Sequence, residues 1–596
     1  MGLRTAPQRI PHVGTVMGSM KTRLRSVCYD AHVLFRKRRF SVHEIAPDEI
    51  FLDSSNLPGR DDVQFEARVV TPLSRRAIFG VGVVFFLMTI GFLGRAFDLE
   101  LINGSIYADV SRENRLDRSV VFAERGHIID RTGEHIAWNE ALLAASSSPF
   151  ALRRYTDSPG LAVLLGFVRY PKADTSGSWW REETSGISGV ELSFDTVLHG
   201  GNGSILTETN ALGRIEGQNI IVPTENGADI TLTIDADVQS KLFSLLSAHA
   251  RTIGFEGGAA VIMDVTTGEL LALTSFPEYD NAAFTEGDPA AVSAAHKDPR
   301  TPLLNRAVAG VYAPGSIVKP IFAAAALNEK IITPEQEILS TGAITIPNPY
   351  FPDQPSIFRD WTVHGLVDMR TALAVSSDEY FYTIGGGYGA QQGLGILRLD
   401  DYARRFGLGS ATGIALIGEE AGVIPTPEWK EKVFGPDDPW RIGNTYHTAI
   451  GQFGFQITPL QAVRFTAAIA NGGRLLTPQL IASSTPHYRN VGVPDEYLTI
   501  VREGMRLAVT SIRSDATVKF LNIGGIQIAA KTGTAQIGSR NQWVNSWSVG
   551  FWPAGDPKYA YAVVLEKAPA GITQGAAHGL LPFFEWLVAN YPEYIR

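Results

Sequence analysis

The sequence predicts a mixed α/β protein: helices packed on an antiparallel sheet, preceded by an extended intermediate domain and a single membrane-spanning helix. Three observations lead there. An uncharged apolar run near the N-terminus has the length of a bilayer span. The region after it, 95–230, holds only short strand-like runs broken by glycine and polar turns. The remainder alternates longer strand-like segments with apolar helical stretches.

Residues 1–76 are polar, mixed in charge and poor in periodicity, so they are expected to form a disordered tail. AIFGVGVVFFLMTIGFLG (77–94) carries no charge. A spanning helix needs about 17–25 apolar residues. The run starts too far from Met1 for a cleaved signal peptide, and no A-x-A-like site follows it. Arg75 and Arg76 abut its start and Arg36-Lys37-Arg38-Arg39 lies upstream, while Arg95, Asp98 and Glu100 follow. The positive-inside rule therefore places the N-terminus in the cytoplasm and residues 95–596 outside the inner (plasma) membrane. ADITLTIDADVQSKLFSLLSAHA (228–250) reads as a strand, a turn and an amphipathic helix, opening a domain expected over 231–596. GGAAVIMDVTTGELLALTSF (257–276) reads as two strands around the turn Thr267-Gly268. IFAAAALNEK (321–330) is helical in pattern, and IQIAAKTGTAQ (526–536) and YAYAVVLEK (559–567) read as strands of one sheet. No internal repeat is present.

Composition excludes some functions. The 596 residues are 45% hydrophobic, enough for several cores, and the net charge of −9 argues against a nucleic-acid partner. Cys28 is the only cysteine, so neither an intramolecular disulfide nor a cysteine-built zinc site is expected.

Chemistry is suggested by APGSIVKP (313–320), which sets Ser316 three residues before Lys319. A serine hydroxyl is a weak nucleophile and needs an adjacent base. On one helix face Lys319 would reach the Ser316 hydroxyl, with Gly315 permitting a tight turn into the helix and free N–H groups at its start. Alone, S-x-x-K is expected about two or three times by chance in a chain of this length. AVSSDEYF (374–381), with Ser376 and Asp378, and AAKTGTAQ (529–536), with Lys531, Thr532, Gly533 and Thr534, follow in order. A K-T-G triplet is expected on the order of 0.1 times by chance, and a lysine on an apolar strand is disfavoured unless it is exposed or functional.

In these three motifs the sequence resembles the penicillin-binding protein and serine β-lactamase superfamily. RENRLDRSVVFAERGHIIDRTGEHIAWN (112–139) and GISGVELSFDTVLHGGNG (186–203) look like pedestal motifs of its class B members, with structural roles only. GNTYHTAIGQFGFQITPLQ (443–461) looks like part of their transpeptidase domain. The resemblance covers about residues 75–580. It implies a pedestal over 95–230 and a serine acyltransferase acting on D-alanyl-D-alanine stem peptides of peptidoglycan. Ser316 would be the nucleophile, Lys319 its general base and Ser376 a proton relay. Asp378 would hold the substrate amide, and Lys531, Thr532 and Thr534 its carboxylate, with Gly533 leaving room for a substrate strand. The N–H groups of Ser316 and Thr534 would form an oxyanion hole. Asp378, where many relatives have asparagine, and Gln536 point to the elongation type. β-Lactams would acylate Ser316, and a SEDS-type membrane glycosyltransferase is the implied partner. A D,D-carboxypeptidase, a β-lactam sensor and a non-catalytic scaffold are the alternatives, although residues 1–76 hold no sensor-like signalling domain.

Some elongation-type members bind zinc near the active site through a cysteine, a histidine and aspartates. Asp353, Asp360 and His364 lie in the corresponding loop, but no cysteine does. No metal and no cofactor are expected, and His364 is read as a loop hydrogen-bonding residue.

Overall fold

The computed structural model describes residues 74–107, 116–140, 148–209, 215–348, 351–482 and 485–595. The tail expectation over 1–76 and Cys28 thus fall almost wholly outside the described residues. Two units are present, one ending at Ser105 and one beginning at Ile106.

In the first unit, helix α1 (Arg75–Phe97) starts where the Ser74 hydroxyl accepts from the Ala77 N–H. It continues into a π-helical turn, Asp98–Ile102, so the helical run overshoots the predicted 77–94 at both ends. No side chain of α1 is buried. A helix that is apolar on every side needs an apolar solvent, and α1 meets the length requirement of a span.

The second unit opens with short strands, as the glycine-broken pattern predicts. β1 (Leu116–Val121), β2 (Ile128–Ile129), β3 (His135–Glu140), β4 (Leu152–Tyr155), β5 (Gly203–Thr209), β6 (Ile215–Val222) and β7 (Ile230–Thr231) form two sheets. Their orders are β1-β5-β6, antiparallel, and β7-β2-β3-β4, in which only β7 runs parallel to its neighbour. Both candidate pedestal motifs meet here. Arg125, from the first, donates to Glu191 of the second at 2.6 Å, and Arg153 of β4 donates to the other carboxylate oxygen at 2.7 Å. All three are buried. The pairing is long-range: one anion joins segments 66 residues apart. Asp130, in the first motif, accepts from the Thr132 and Glu134 N–H groups and from the Ala236 N–H at 3.2 Å, tying these strands to the start of the helix at Ala236.

That helix, α2 (Ala236–Ile253), is capped by Asp235, whose side chain accepts from Val238 N, and ends at Gly254 in the left-handed region. The hairpin β8 (Gly257–Asp264) and β9 (Leu270–Phe276) turns at Gly268, as predicted. Helices α3 (Lys319–Asn328), α4 (Met369–Val375), α5 (Asp378–Gly386), α6 (Pro459–Ala470) and α7 (Asp495–Thr510) come next, then β10 (Ala529–Ile537), β11 (Trp543–Trp552), β12 (Tyr559–Pro569) and α8 (Ala576–Asn590).

The large sheet has the order β9-β8-β12-β11-β10, antiparallel throughout. The two late strands predicted to share a sheet do so, but β11, which was not anticipated, lies between them. Alternation along each strand divides the core. Ala259, Val261, Val564 and Trp547 face the cluster that contains α3 and α6, whereas Ala260, Ile262, Val563 and Trp552 face the cluster of α2 and α8. With both faces covered, β8, β9 and β12 read as nearly continuous apolar runs. β10 is an edge strand: one side pairs with β11, and among the described residues no strand pairs with the other.

Glu191→Ala should leave two buried guanidinium groups without their shared anion. We expect a cost of about 3–5 kcal/mol, read as a lower thermal midpoint, while Glu191→Gln should cost less. An unchanged midpoint for the alanine variant would show that water already compensates the arginines.

Candidate active site

The open edge of β10 borders a cleft of about 1170 Å³, lined among others by Ser316, Ser376, Asp378, Thr532, Thr534 and Gln536. Every residue singled out in the three motifs lies on this cleft or directly behind it. Alternation explains the division along β10: Thr532, Thr534 and Gln536 line the cleft, and Lys531, Gly533 and Ala535 turn inward and are buried.

Ser316 sits in a 3-10 turn, Gly315–Val318, leading into α3. Pro320 occupies the first turn of α3, where a missing N–H costs no helical bond. Trp547 of β11 holds the approach to this turn, donating from its indole to Ala313 O at 2.9 Å, and Gly315 N donates to Gly451 O. The turn lies against β10. Gly315 has φ 57°, and a Cβ there would come within 3.1 Å of Thr534 O. A Cβ on Gly533 would come within 2.7 Å of Pro314 O, so both glycines are required by close approach as well as by backbone angle in the first case.

Ser376 is the joint between α4 and α5. It ends α4 in the left-handed conformation (φ 61°, ψ 40°), and Ser377 then caps α5 by accepting from Tyr380 N. The S-x-D motif is thus a two-residue corner that aims Ser376 and Asp378 at the same point.

Two lysines converge there, both with 0% exposure. Lys319 Nζ donates to Asp378 Oδ1 at 2.6 Å, to Ser376 O at 2.8 Å and to Ser376 Oγ at 3.4 Å. Lys531 Nζ donates to Ser376 Oγ at 2.7 Å and to Thr532 O at 2.9 Å. Ser376 Oγ therefore bridges two amines. The expected contact of Lys319 with Ser316 is not made: among the hydrogen bonds of the described residues, none joins the two. The helix is tightened between them, and a carboxylate holds an ammonium more strongly than a neutral hydroxyl does. Burial drives the Lys531 amine well below its usual range, the positive charge of Lys319 adds to this, and Asp378 opposes it.

Sequence reasoning did not single out His447 or Tyr382, which line the same cleft. Burial pushes His447 below its ordinary value, against the pull of Asp378, and burial pushes Tyr382 up, with Asp378 and Asp360 acting in the same sense. Tyr382 stands four residues after Asp378 on α5, one turn along, which is the one sign the sequence offers.

The loop residues Asp353, Asp360 and His364 do not assemble as a zinc site. Asp353 is exposed. His364 Nδ1 is bonded to Asp515 at 2.8 Å, and its Nε2 lies 3.5 Å from Asp360 Oδ1. Ser377 Oγ donates to Asp360 Oδ2 at 2.7 Å. Among the described residues no three histidine, cysteine or acidic side chains converge as a metal site.

Residues 258–580 match the family described as "Penicillin binding protein transpeptidase domain", and residues 145–232 the family described as "Penicillin-binding Protein dimerisation domain". The peptidoglycan D,D-transpeptidase MrdA of Escherichia coli K12 is 33% identical over 417 residues, 65% of this chain and 63% of that protein. The match thus spans somewhat less than two thirds of that relative. Among solved structures, penicillin-binding protein 2 of Pseudomonas aeruginosa, in complex with WCK 5153, is similar with TM-score 0.65 and 27% identity, covering 80% of this chain and 98% of that one. A chain from a peptidoglycan synthase complex that couples polymerization and crosslinking has TM-score 0.65 and 26% identity, covering 87% and 98%.

Asp378 is the anion that raises Lys531. In Asp378→Asn that pull is gone, the amine is neutral at lower pH, and the acid limb of serine acylation by an uncharged β-lactam should move to lower pH. Second-order acylation rates across pH for both forms measure this. An unmoved or alkaline-shifted limb would remove Asp378 from the charge balance.

Proposed function

Because the chain belongs to the class B, PBP2-type penicillin-binding proteins, we propose that it is a serine D,D-transpeptidase of cell-wall elongation that cross-links peptidoglycan stem peptides. The observation that carries this reading is the meeting of Ser316, Ser376, Asp378, Lys319 and Lys531 at the open edge of β10.

A donor peptide would add to β10 as a further strand, its backbone pairing with the free edge. Its terminal carboxylate would lie near Lys531, Thr532 and Thr534, and its amide near Asp378. Ser316 Oγ would then bond to the carbonyl carbon of the penultimate D-alanine. The developing oxyanion would be met by the backbone N–H groups of Ser316 and Thr534. Lys319 would take the serine proton, with Ser376 able to pass protons between it and Lys531. The C–N bond to the terminal D-alanine would break, and its nitrogen would receive the proton as it leaves. A neighbouring stem-peptide amine would attack the acyl-enzyme and restore the Ser316 hydroxyl. The depressed basicity of Lys531 supports a site in which an amine gives up its proton more readily than in water.

β-Lactams would acylate Ser316 as mimics of the donor. We place the tail at 1–76 in the cytoplasm, the span at 77–94, a pedestal over 95–230 and the transpeptidase domain over 231–596 outside. Arg75 and Arg76 support that orientation. The similarity to a chain of a polymerizing and crosslinking complex supports a membrane glycosyltransferase partner, of SEDS type by family resemblance.

Membranes carrying the protein should bind a fluorescent penicillin covalently, and Ser316→Ala should lose that adduct while keeping the wild-type thermal midpoint. An adduct persisting on the variant under denaturing conditions would overturn the nucleophile assignment. Given donor and acceptor peptides, the wild type should form cross-linked product. Release of D-alanine without cross-links would instead make it a carboxypeptidase. In intact spheroplasts added protease should digest residues 95–596 and spare 1–76, and protection of the K-T-G-T segment would reverse the topology.

A further inference from the structure

Ser376 holds a left-handed backbone conformation that side chains disfavour, and such a residue keeps it only where its surroundings hold it there. Two segments grip the corner. From the first, the Trp361 indole donates to Val375 O at 3.1 Å, and Asp360 Oδ2 accepts from Ser377 Oγ at 2.7 Å and from Glu379 N at 2.9 Å. These bonds fall on both sides of Ser376 and Asp378. From the second, Thr517 N donates to Ala374 O at 3.3 Å.

One imidazole ties the two segments together. His364 Nδ1 lies 2.8 Å from Asp515 Oδ2 and Nε2 lies 3.5 Å from Asp360 Oδ1. Arg513 closes the group, donating to His364 O at 2.9 Å and to Asp515 Oδ2 at 2.8 Å. The side chains of His364 and Asp360 have no exposed surface. The charged groups that bear on the imidazole are Asp360 from its own segment and Asp515 and Arg513 from the other. Lys319 acts on Asp360 from α3. A neutral imidazole placed between two carboxylates leaves one of its nitrogens without a proton to offer, whereas an imidazolium offers a proton to each.

We propose that His364, as a cation between Asp360 and Asp515, is a positioning residue that locks both segments onto the Ser376–Asp378 corner, and that its deprotonation loosens the lock. The proposal rests on the acyl-transfer reading of that corner. Electrostatics agree with the geometry. Burial disfavours the imidazolium, but the hydrogen bond to Asp515 and the charges of Asp360 and Asp515 lift His364 above its ordinary value, with the buried Nε2 facing Asp360 at 3.5 Å without a hydrogen bond. Burial disfavours both carboxylates. His364 and the other donors around each nonetheless hold Asp360 at about 2 and Asp515, together with Arg513, at about 2. A group whose affinity for its proton is raised by the fold contributes below its ordinary range and loses that contribution as pH climbs through the raised value. Acylation should therefore fall along an alkaline limb that begins above the ordinary histidine value of about 6.5.

The test is the second-order rate of acylation by an uncharged β-lactam, from about pH 5 to about pH 10, on the full chain in detergent. Asp515→Asn removes one of the two carboxylates without touching the corner, and should shift the alkaline limb to lower pH. His364→Gln should react roughly 10- to 100-fold more slowly than wild type below the limb and at the wild-type rate above it. A rate ratio constant across pH, or a limb that Asp515→Asn leaves in place, would reduce His364 to a packing residue and overturn the proposal. So would loss of wild-type acylation after dialysis against a chelator, which would assign the cluster to a metal. If His364→Gln fails to fold, the Asp515→Asn limb and the titration of the His364 imidazole in the wild type decide the matter, and a midpoint at or below about 6.5 overturns it. A wild type that is not acylated at any pH would fail the acyl-transfer reading itself, an outcome distinct from acylation with unmoved limbs.

Discussion

Two lysine side chains withdrawn from water at one point set the terms for the rest of the molecule. Burying an ammonium group costs several kcal/mol unless it is paired and hydrogen-bonded. Lys319 meets that cost with Asp378 and the Ser376 carbonyl, and Lys531 with Ser376 Oγ and the Thr532 carbonyl. Three of these four partners belong to the corner between α4 and α5, so the lysines can be buried only if α3, that corner and the edge of the large sheet come together. That requirement accounts for the local features around them. The corner adopts a left-handed residue, and glycines remove the side chains that would separate the Ser316 turn from β10.

The pedestal solves a similar problem in another way. Arg125 and Arg153 share the carboxylate of Glu191, and Asp195 adds a partly exposed second anion to Arg125 at 2.8 Å. Buried pairs of this kind add little net stability compared with apolar packing, yet they tolerate few alternative arrangements. Short strands such as Ile128–Ile129 cannot define a domain by their own ladders, so a fixed ionic centre has much to contribute here.

Much of this was legible in the sequence because it depends on periodicity or on rare residue combinations. The hairpin at Gly268, the apolar helix after Arg75 and the three motifs all needed only local information. The strand β11 was missed because its pattern is interrupted: Asn545, Ser546 and Ser548 are polar yet buried, and they break the alternation that marks a strand. The contact between Lys319 and Ser316 was misjudged for a different reason. Helical spacing gives the distance between two backbone positions, whereas the direction of a lysine side chain follows the nearest anion, and Asp378 lies 59 residues away. His447 was passed over because a histidine in a helical segment carries no mark of the cleft it will face. The grouping of Asp360, His364 and Asp515 was likewise invisible, since its third member lies 151 residues from the imidazole it holds.

The free edge of β10 has a consequence for the protein in the company of its own copies. An unpaired strand of this length is a template for any extended chain, including a misfolded neighbour. Natural sheets blunt such edges with inward-pointing charges and with coverings that leave little room alongside. β10 carries an inward lysine, Lys531, in mid-strand, and the Ser316 turn crosses close to Gly533 and Thr534. A guest strand can pair here only if it is narrow at that crossing. The features that would select one short peptide thus also protect this sheet against polymerising with itself.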